Sequence, residues 1–485
     1  MPDRGRIVPR VTEPPVQVAQ RLRARERVVV HVDTLAARWV GALALLIAAS
    51  WLTVLMIRAH HHHTHWNSDS RVAWSLTILA AVALIARGIF LGRPVTAAHA
   101  ITAAMSVLAG FAAHLLAFDV TGNVLVAMSG LLLMWPMTAR PDPSQLARVW
   151  ALVDATSGDP VAPFTMQSLK SYFFCADGTA AIAYRTRLGY AVVSGDPIGD
   201  ECRFDELVGD FVGMCRTHGW RVVVLGCGQR RLGLWQDRAV IGQTLRQVPI
   251  GRDVVIDVPA FDMVGRKFRN LRQAVQRTHN FGISTEIVAE SELDDRRLAE
   301  LTDVLLSSAK GSRTERGFSM ILDGALTGRY PGVLLIIARD KAGRVQGFHR
   351  YAVAGGGSDV TLDIPWRRRG APNGIDERLS VDMIDAMKST GTQRLSLAFA
   401  AFPEIFNDKE RGALSTFFYT AIHLGDSLIA LESLYRYLRK FHALGDRRYV
   451  LLPLSQVLPL LVVLLSLEFL PRRRRLPTES PEDDR

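Results

Sequence analysis

Four apolar stretches, Leu35–Ile57, Val72–Leu91, Ala97–Phe118 and Thr121–Met137, constrain this chain more than any other feature. Each is long enough, or nearly so, to cross a bilayer core of about 30 Å as a helix. A hydrophobic fraction of 48% and a mean hydropathy of +0.13 are high for a soluble protein. The first stretch follows a long basic segment carrying Arg4, Arg6, Arg10, Arg21, Arg23, Arg25 and Arg27. That segment is unlike the short leader of a cleaved signal peptide, and by the positive-inside rule it stays in the cytosol. Four crossings then return the chain to the cytosol at Ala139–Ser144, so the large remainder is expected there, beneath the plasma membrane. Arg87, costly inside lipid, is expected to snorkel toward the Gly92-Arg93-Pro94 turn or to line a contact between helices. His60, His61, His62, His63 and His65 fall in the first outward loop. Imidazoles this dense could hold a divalent metal, but no carboxylate or cysteine accompanies them at fixed spacing, and no metal is expected.

A net charge of +11 and a pI near 9.8 favour nucleic acid or anionic lipid as partners over acidic small molecules. Much of that charge lies on Gly265–Asn280. Val264, Phe268, Leu271 and Val275 recur there at helical spacing, while Arg266, Lys267, Arg269, Arg272 and Arg277 fill the remaining surface with no acidic residue among them. The helix is either a solvated basic face or a polyanion site. The four cysteines, Cys175, Cys202, Cys215 and Cys227, lack zinc-type pairing and read as reduced structural thiols.

Beyond residue 149 one order of elements occurs twice. Ser171–Phe174 and Thr179–Arg185 flank an Asp177-Gly178 turn, Tyr190–Ser194 makes a third strand, and Gly195-Asp-Pro-Ile-Gly199 breaks it. A helix over Phe204–His218 and a strand over Arg221–Leu225 follow. Likewise Val333–Arg339 and Val345–Ala354 form a hairpin and Asp359–Asp363 a third strand, broken by Arg367–Gly374. A helix over Ile375–Thr390 and a strand over Arg394–Ala398 complete the second copy. This is the order of a GNAT-type acyltransferase core, repeated; two unrelated α/β units are the alternative. An acetyl-CoA enzyme wants free amides in the loop, yet proline stands at Pro372 in one copy and Pro197 in the other, so neither favours coenzyme A. The expected fold is therefore a transmembrane helical bundle followed by a tandem GNAT-like α/β fold. Its parts are a basic segment (1–34), four spans (35–138), a first subdomain with the basic helix (149–290), a second subdomain (291–452) and an apolar tail helix with a charged end (453–485). The tail run Tyr449–Leu470, followed by Arg472–Arg475, is expected to lie on the inner membrane surface or to pack on the soluble domain.

Tyr172–Gly178, Ser194–Gly199, Gly265–Ala274, Gly317–Met320, Gly347-Phe348, Ala371–Gly374 and Leu434–Arg436 with Lys440-Phe441 together resemble the catalytic domain of the lysylphosphatidylglycerol synthases, or multiple peptide resistance factors. The resemblance covers roughly Val149 to Leu452. It implies transfer of an amino acid, lysine first, from charged tRNA to phosphatidylglycerol, with aminoacyl-tRNA as co-substrate and no other cofactor. Asp363 matches a family aspartate and becomes the candidate base or amine anchor, with Arg367, Asn373 and Glu377 beside it. Gly195, Asp196 and Gly199, with Arg266, Lys267, Arg269, Asn270 and Arg272 of the basic helix, are the substrate-binding candidates, the helix facing tRNA phosphates or lipid headgroups. Asp196 can instead pin its own loop by capping backbone amides. Trp366 stands where the family pattern has an arginine. The spans are too few for a flippase and no lysyl-tRNA synthetase domain is attached, so charged tRNA is expected from elsewhere. A related transferase with another acceptor, such as a peptidoglycan precursor, and a non-catalytic membrane scaffold are the alternatives.

Overall fold

The computed structural model describes residues 28–30, 35–61, 68–308, 314–315, 317–401, 434–469 and 472–473. The basic N-terminal segment and the histidine loop beyond His61 lie outside these residues. Two compact units result: one runs up to Met137 and includes 174–178 and 213–221, and the other holds the rest.

In the first unit, helices α1 (Leu35–His61), α2 (Ser68–Phe90) and α3 (Ala97–Leu115) are long and apolar enough to cross a membrane. The expected fourth crossing is shorter. Helix α4 (Asp119–Leu133) has 15 residues, about 22 Å at ~1.5 Å per residue, short of the ~30 Å core. It stops ahead of Pro136, because a proline disfavours helical backbone in the residue before it. Glycines let these helices approach closely: a Cβ on Gly122 would meet the Gly110 carbonyl at 2.9 Å, and one on Gly130 the Ala81 carbonyl at 2.4 Å. Leu43, Ile47, Trp51, Ile101, Met105 and Leu108 face outward, as lipid-facing side chains do. Arg87 is exposed in the last turn of α2, where its side chain can snorkel.

The second unit is organised on one mixed sheet. Its strands are β1 (Ser171–Phe174), β2 (Ala180–Arg187), β3 (Tyr190–Ser194), β4 (Ile198–Gly199), β5 (Arg221–Gly228), β6 (Arg246–Asp257), β7 (Ser284–Ala289), β8 (Val333–Arg339), β9 (Val345–Ala354), β10 (Asp359–Arg367), β11 (Arg394–Ala401) and β12 (Leu444–Leu452). The order across the sheet is β1-β2-β3-β5-β12-β6-β11-β10-β9-β8-β7, with β4 paired to β2. Both predicted repeats are present, with helices α6 (Phe204–Thr217) and α10 (Ile375–Lys388) at the expected places. What joins them is an exchange. Strand β6 follows the first repeat in sequence but pairs with β11 of the second, β12 follows the second but pairs with β5 of the first, and β6 and β12 pair with each other. The repeats are therefore fused by main-chain hydrogen bonds.

Three expectations change. Strand β7, assigned to the first subdomain by the boundary at 290, pairs with β8 at the far edge of the second. The apolar run from Tyr449 splits: its first residues are the buried end of β12, and only Val457–Phe469 forms a helix, α11. Val264 leaves the predicted stripe, since it precedes the basic helix α8 (Arg269–Asn280) and is 68% exposed. Phe268, Leu271 and Val275 do enter the core under β10 and α10.

Candidate functional site

Strand β10 runs past Asp363 to Arg367, so Arg367 stands on the strand and not in the loop after it. Asp363 is the extra residue of a bulge: Arg350 pairs with Ile364 and Tyr351 with Leu362, leaving Asp363 without a partner in the ladder. A bulge re-aims the side chain it carries, and here the carboxylate turns inward. Its Oδ2 accepts from Arg350 Nη1 at 2.9 Å and its Oδ1 from the Leu322 N–H at 2.9 Å. Arg350 also donates to Glu290 at 2.9 Å, and all three side chains are fully enclosed. Burial pushes the Asp363 carboxyl up to about 6 against the pull of Arg350. A carboxylate with both oxygens engaged and no exposure is placed to hold Arg350 and the 322 segment, not to meet a substrate. Asp363→Asn is accordingly expected to cost about 1.5–3 kcal/mol of stability, read as a lowered midpoint in thermal unfolding of the detergent-solubilised protein. An unchanged midpoint combined with lost turnover would restore it to the chemistry.

The other predicted residues of this region gather at the start of α10. Arg367 lies 3.4 Å from Asp376, Glu377 is buried and ion-paired with Lys440, and Asn373 is exposed. Asp376 also meets the buried His349 at 3.2 Å. Arg266 and Lys267 in the turn before α8, and Arg269, Asn270 and Arg272 on it, are all exposed, as a polyanion site requires. Arg272 is partly committed to its own turn, donating to the Gly265 and Met263 carbonyls. Gly195 and Gly199 have φ of +74° and +98°, which glycine alone adopts readily; at Gly199 a Cβ would lie 2.1 Å from the Thr179 carbonyl.

None of Asp363, Arg367, Asn373 and Glu377 lines the cavity of about 280 Å³ at the join between the two repeats. Asp196 does. It does not cap its own loop but reaches the end of β5, accepting from the Gly228 N–H at 3.0 Å and from Arg448 at 3.0 Å. Arg448 on β12 is the hub, for it also donates to Asp253 of β6 at 2.8 Å and to Asp159 at 2.6 Å. One guanidinium thus faces three carboxylates. Burial raises Asp196 and Asp253 to about 6, while Arg448 opposes the rise. Burial also opposes the charge on Arg448, but the three carboxylates outweigh it and hold its pKa well above the ordinary value. Asp159 Oδ2 is buried and has no hydrogen-bond partner among the described residues. The rest of the wall pairs Arg394 with Asp359, Arg230 with Asp446 and Arg231 with Glu201. Six carboxylates against four guanidiniums leave this space acidic inside a chain of net charge +11. A cation is favoured there and a phosphate is not.

The sequence reading missed Asp159, Asp253 and Arg448. The signal open to it was a charge inside an apolar strand: Asp253 precedes Val254-Val255-Ile256, and Arg448 precedes Tyr449-Val450-Leu451. Among the described residues no His/Cys/Asp/Glu group is arranged to hold a metal.

A family model described as the C-terminal part of phosphatidylglycerol lysyltransferase matches residues 150–452. An MprF-like domain protein of Mycobacterium tuberculosis is 65% identical over 463 residues, 96% of either chain. A lysylphosphatidylglycerol biosynthesis bifunctional protein of Rhodococcus jostii is 27% identical over 379 residues, and this chain spans 32% of its length. Among solved structures, the C-terminal domain of an Agrobacterium fabrum lysylphosphatidylglycerol synthetase has the same fold, with TM-score 0.56 at 20% identity over 68% of this chain and 98% of that one. L-PGS of Bacillus licheniformis is similar at TM-score 0.55 and 19% identity, with the same coverage. With a doubled GNAT-like sheet that follows apolar helices in the chain and a family match over most of its length, this protein belongs to the phosphatidylglycerol lysyltransferase family and is an aminoacyltransferase.

Proposed function

We propose that the protein moves an amino acid, lysine first, from charged tRNA to the glycerol hydroxyl of phosphatidylglycerol or a related anionic lipid at the inner leaflet of the plasma membrane. The observation that carries this reading is the acidic cavity in an otherwise basic chain. An aminoacyl ester brings one ammonium group, or two for lysine, and these must leave water to reach the reaction centre. The Asp159, Asp196 and Asp253 carboxylates hold more negative charge than Arg448 neutralises, and Asp159 Oδ2, without a hydrogen-bond partner among the described residues, is the oxygen that can take that ammonium. The same charge repels phosphate, which leaves the exposed arginines of α8 as the natural contact for tRNA or headgroup phosphates. The donor ester is already activated, so the demand on the protein is to hold the ester and the lipid hydroxyl together. In this reading the catalytic unit and the N-terminus face the cytosol, where charged tRNA is found; this needs α4 as a fourth crossing despite its length.

The test compares lipid extracts of cells with and without the protein. A new cationic aminoacylated phospholipid is expected, and its formation in isolated membranes supplied with charged tRNA should stop on RNase treatment. Good expression with no such lipid would sink the reading. Persistence of the lipid after RNase would remove tRNA as donor.

A further inference from the structure

Helix α11 lies beyond the residues that match the family model, and the transfer reaction gives it no task. It is firmly docked. Leu460, Val463 and Leu467 are fully buried against Val192, Val223, Leu225, Phe318, Val450 and Leu452. Just before the helix, Gln456 accepts from the Tyr190 hydroxyl at 2.8 Å. Near its end Glu468 accepts the N–H groups of Phe318 and Ser319 at 3.0 and 2.9 Å. A helix bound this way normally turns a polar face to water. Here Leu454, Leu458 and Val462, four residues apart, are 53%, 72% and 62% exposed. From Val457 to Leu467 there is no charged residue, and the hydroxyl of Ser466 is spent on the Val463 carbonyl at 2.6 Å. Four consecutive arginines, Arg472–Arg475, follow the helix in sequence after Leu470 and Pro471.

We propose that this outer ridge is a second membrane contact of the protein: Leu454, Leu458 and Val462 enter the acyl-chain boundary of an anionic leaflet, whose charge suits the basic run that follows them in the sequence. An apolar ridge beside a short basic run is the pattern of an interfacial helix, in which apolar burial and headgroup attraction each add to binding. A second copy of the chain fits less well, because the sequence after the ridge is basic in both copies and like charge opposes their approach. The proposal needs only that the protein is membrane-bound, and it is independent of the donor and the acceptor. Since α11 follows β12 after a short turn, the contact would also tie the strand bearing Arg448 to the bilayer surface.

The test uses the full chain in nanodiscs. Leu458→Cys, made in a Cys202→Ser background because Cys202 is the exposed native thiol among the described residues, is labelled with an environment-sensitive fluorophore. Arg296→Cys on an exposed helix serves as the control. In discs of phosphatidylcholine with phosphatidylglycerol, the label at 458 should shift to the blue and be quenched several-fold more by doxyl groups on lipid tails than by aqueous iodide. Phosphatidylcholine alone, or replacement of the four arginines by glutamine, should weaken both effects. A label at 458 as open to iodide as the control overturns the proposal. Protection from both quenchers in a dimeric sample assigns the ridge to a second copy and overturns it equally.

Discussion

Arg448→Met is expected to destabilise the catalytic unit by about 3–5 kcal/mol, the usual cost of removing one side of a buried ion pair. Three carboxylates from a loop, β6 and the Ser194–Gly199 turn converge on this one cation, so its loss leaves them facing one another at the seam of the sheet. The effect should depend on pH in a defined sense. Asp196 and Asp253 have folded pKa values near 6, above the 3.8 of an unperturbed side chain. A carboxyl raised in this way contributes stability that is full below about 4 and lost as the pH rises through about 6. Arg448 is the strongest influence holding both values down, so without it they should rise further and the window should extend upward. The variant should therefore recover more stability than the parent when the pH is lowered from about 7 to about 5. Tryptophan fluorescence melts of the detergent-solubilised protein across that range measure both parts. A variant as stable as the parent near pH 7 would show that the carboxylates need no cation, and the charge argument for the cavity would fall with it.

The repeated core was legible because its period-two and helical patterns are local. Tyr190–Ser194 and Val333–Arg339 occur as strands with the ends read from the residues, and the basic helix closes at Asn280 as expected. The strand exchange was not legible. Both β6 and β12 are ordinary apolar-polar strands, and nothing local in either states that its partner lies in the other repeat. Burial hid the role of Asp363 in the same way: its match to a family position was visible, but the bulge that turns it onto Arg350 depends on pairing across the sheet. The cavity is an extreme case, for its four central residues stand at 159, 196, 253 and 448 and meet only when the two repeats close on each other. Composition hinted at the opposite of what lies there, since the surplus of arginine over the whole chain conceals a local surplus of carboxylate.

The sharpest separation of fold from chemistry comes from Asp159→Asn. The amide oxygen can keep the contacts that Oδ1 makes with Arg448 and with the Val161 N–H, so the variant should fold with a melting midpoint near that of the parent. The unpartnered Oδ2, in contrast, becomes an NH2 donor facing the space where the ammonium is proposed to sit. A charge-assisted hydrogen bond contributes about 1.5–3 kcal/mol, which corresponds to roughly a ten- to 150-fold loss in kcat/KM. The loss should come chiefly through KM if the ammonium is held equally in the bound and transition states, and through kcat if it is gripped only as the ester reacts. Transfer to lipid is measured in nanodiscs with charged tRNA, and a donor whose α-amine is acetylated provides the comparison. The parent should use that blocked donor poorly, and Asp159→Asn should narrow the gap between the two donors by slowing the free-amine one. Equal activity of variant and parent on the free-amine donor, in a protein of unchanged stability, would show that the amine is recognised elsewhere. The Arg448 cluster would then be a structural clasp between the two repeats, and the ammonium site would have to be sought at the other group of polar side chains, where Asp376 and Glu377 begin α10.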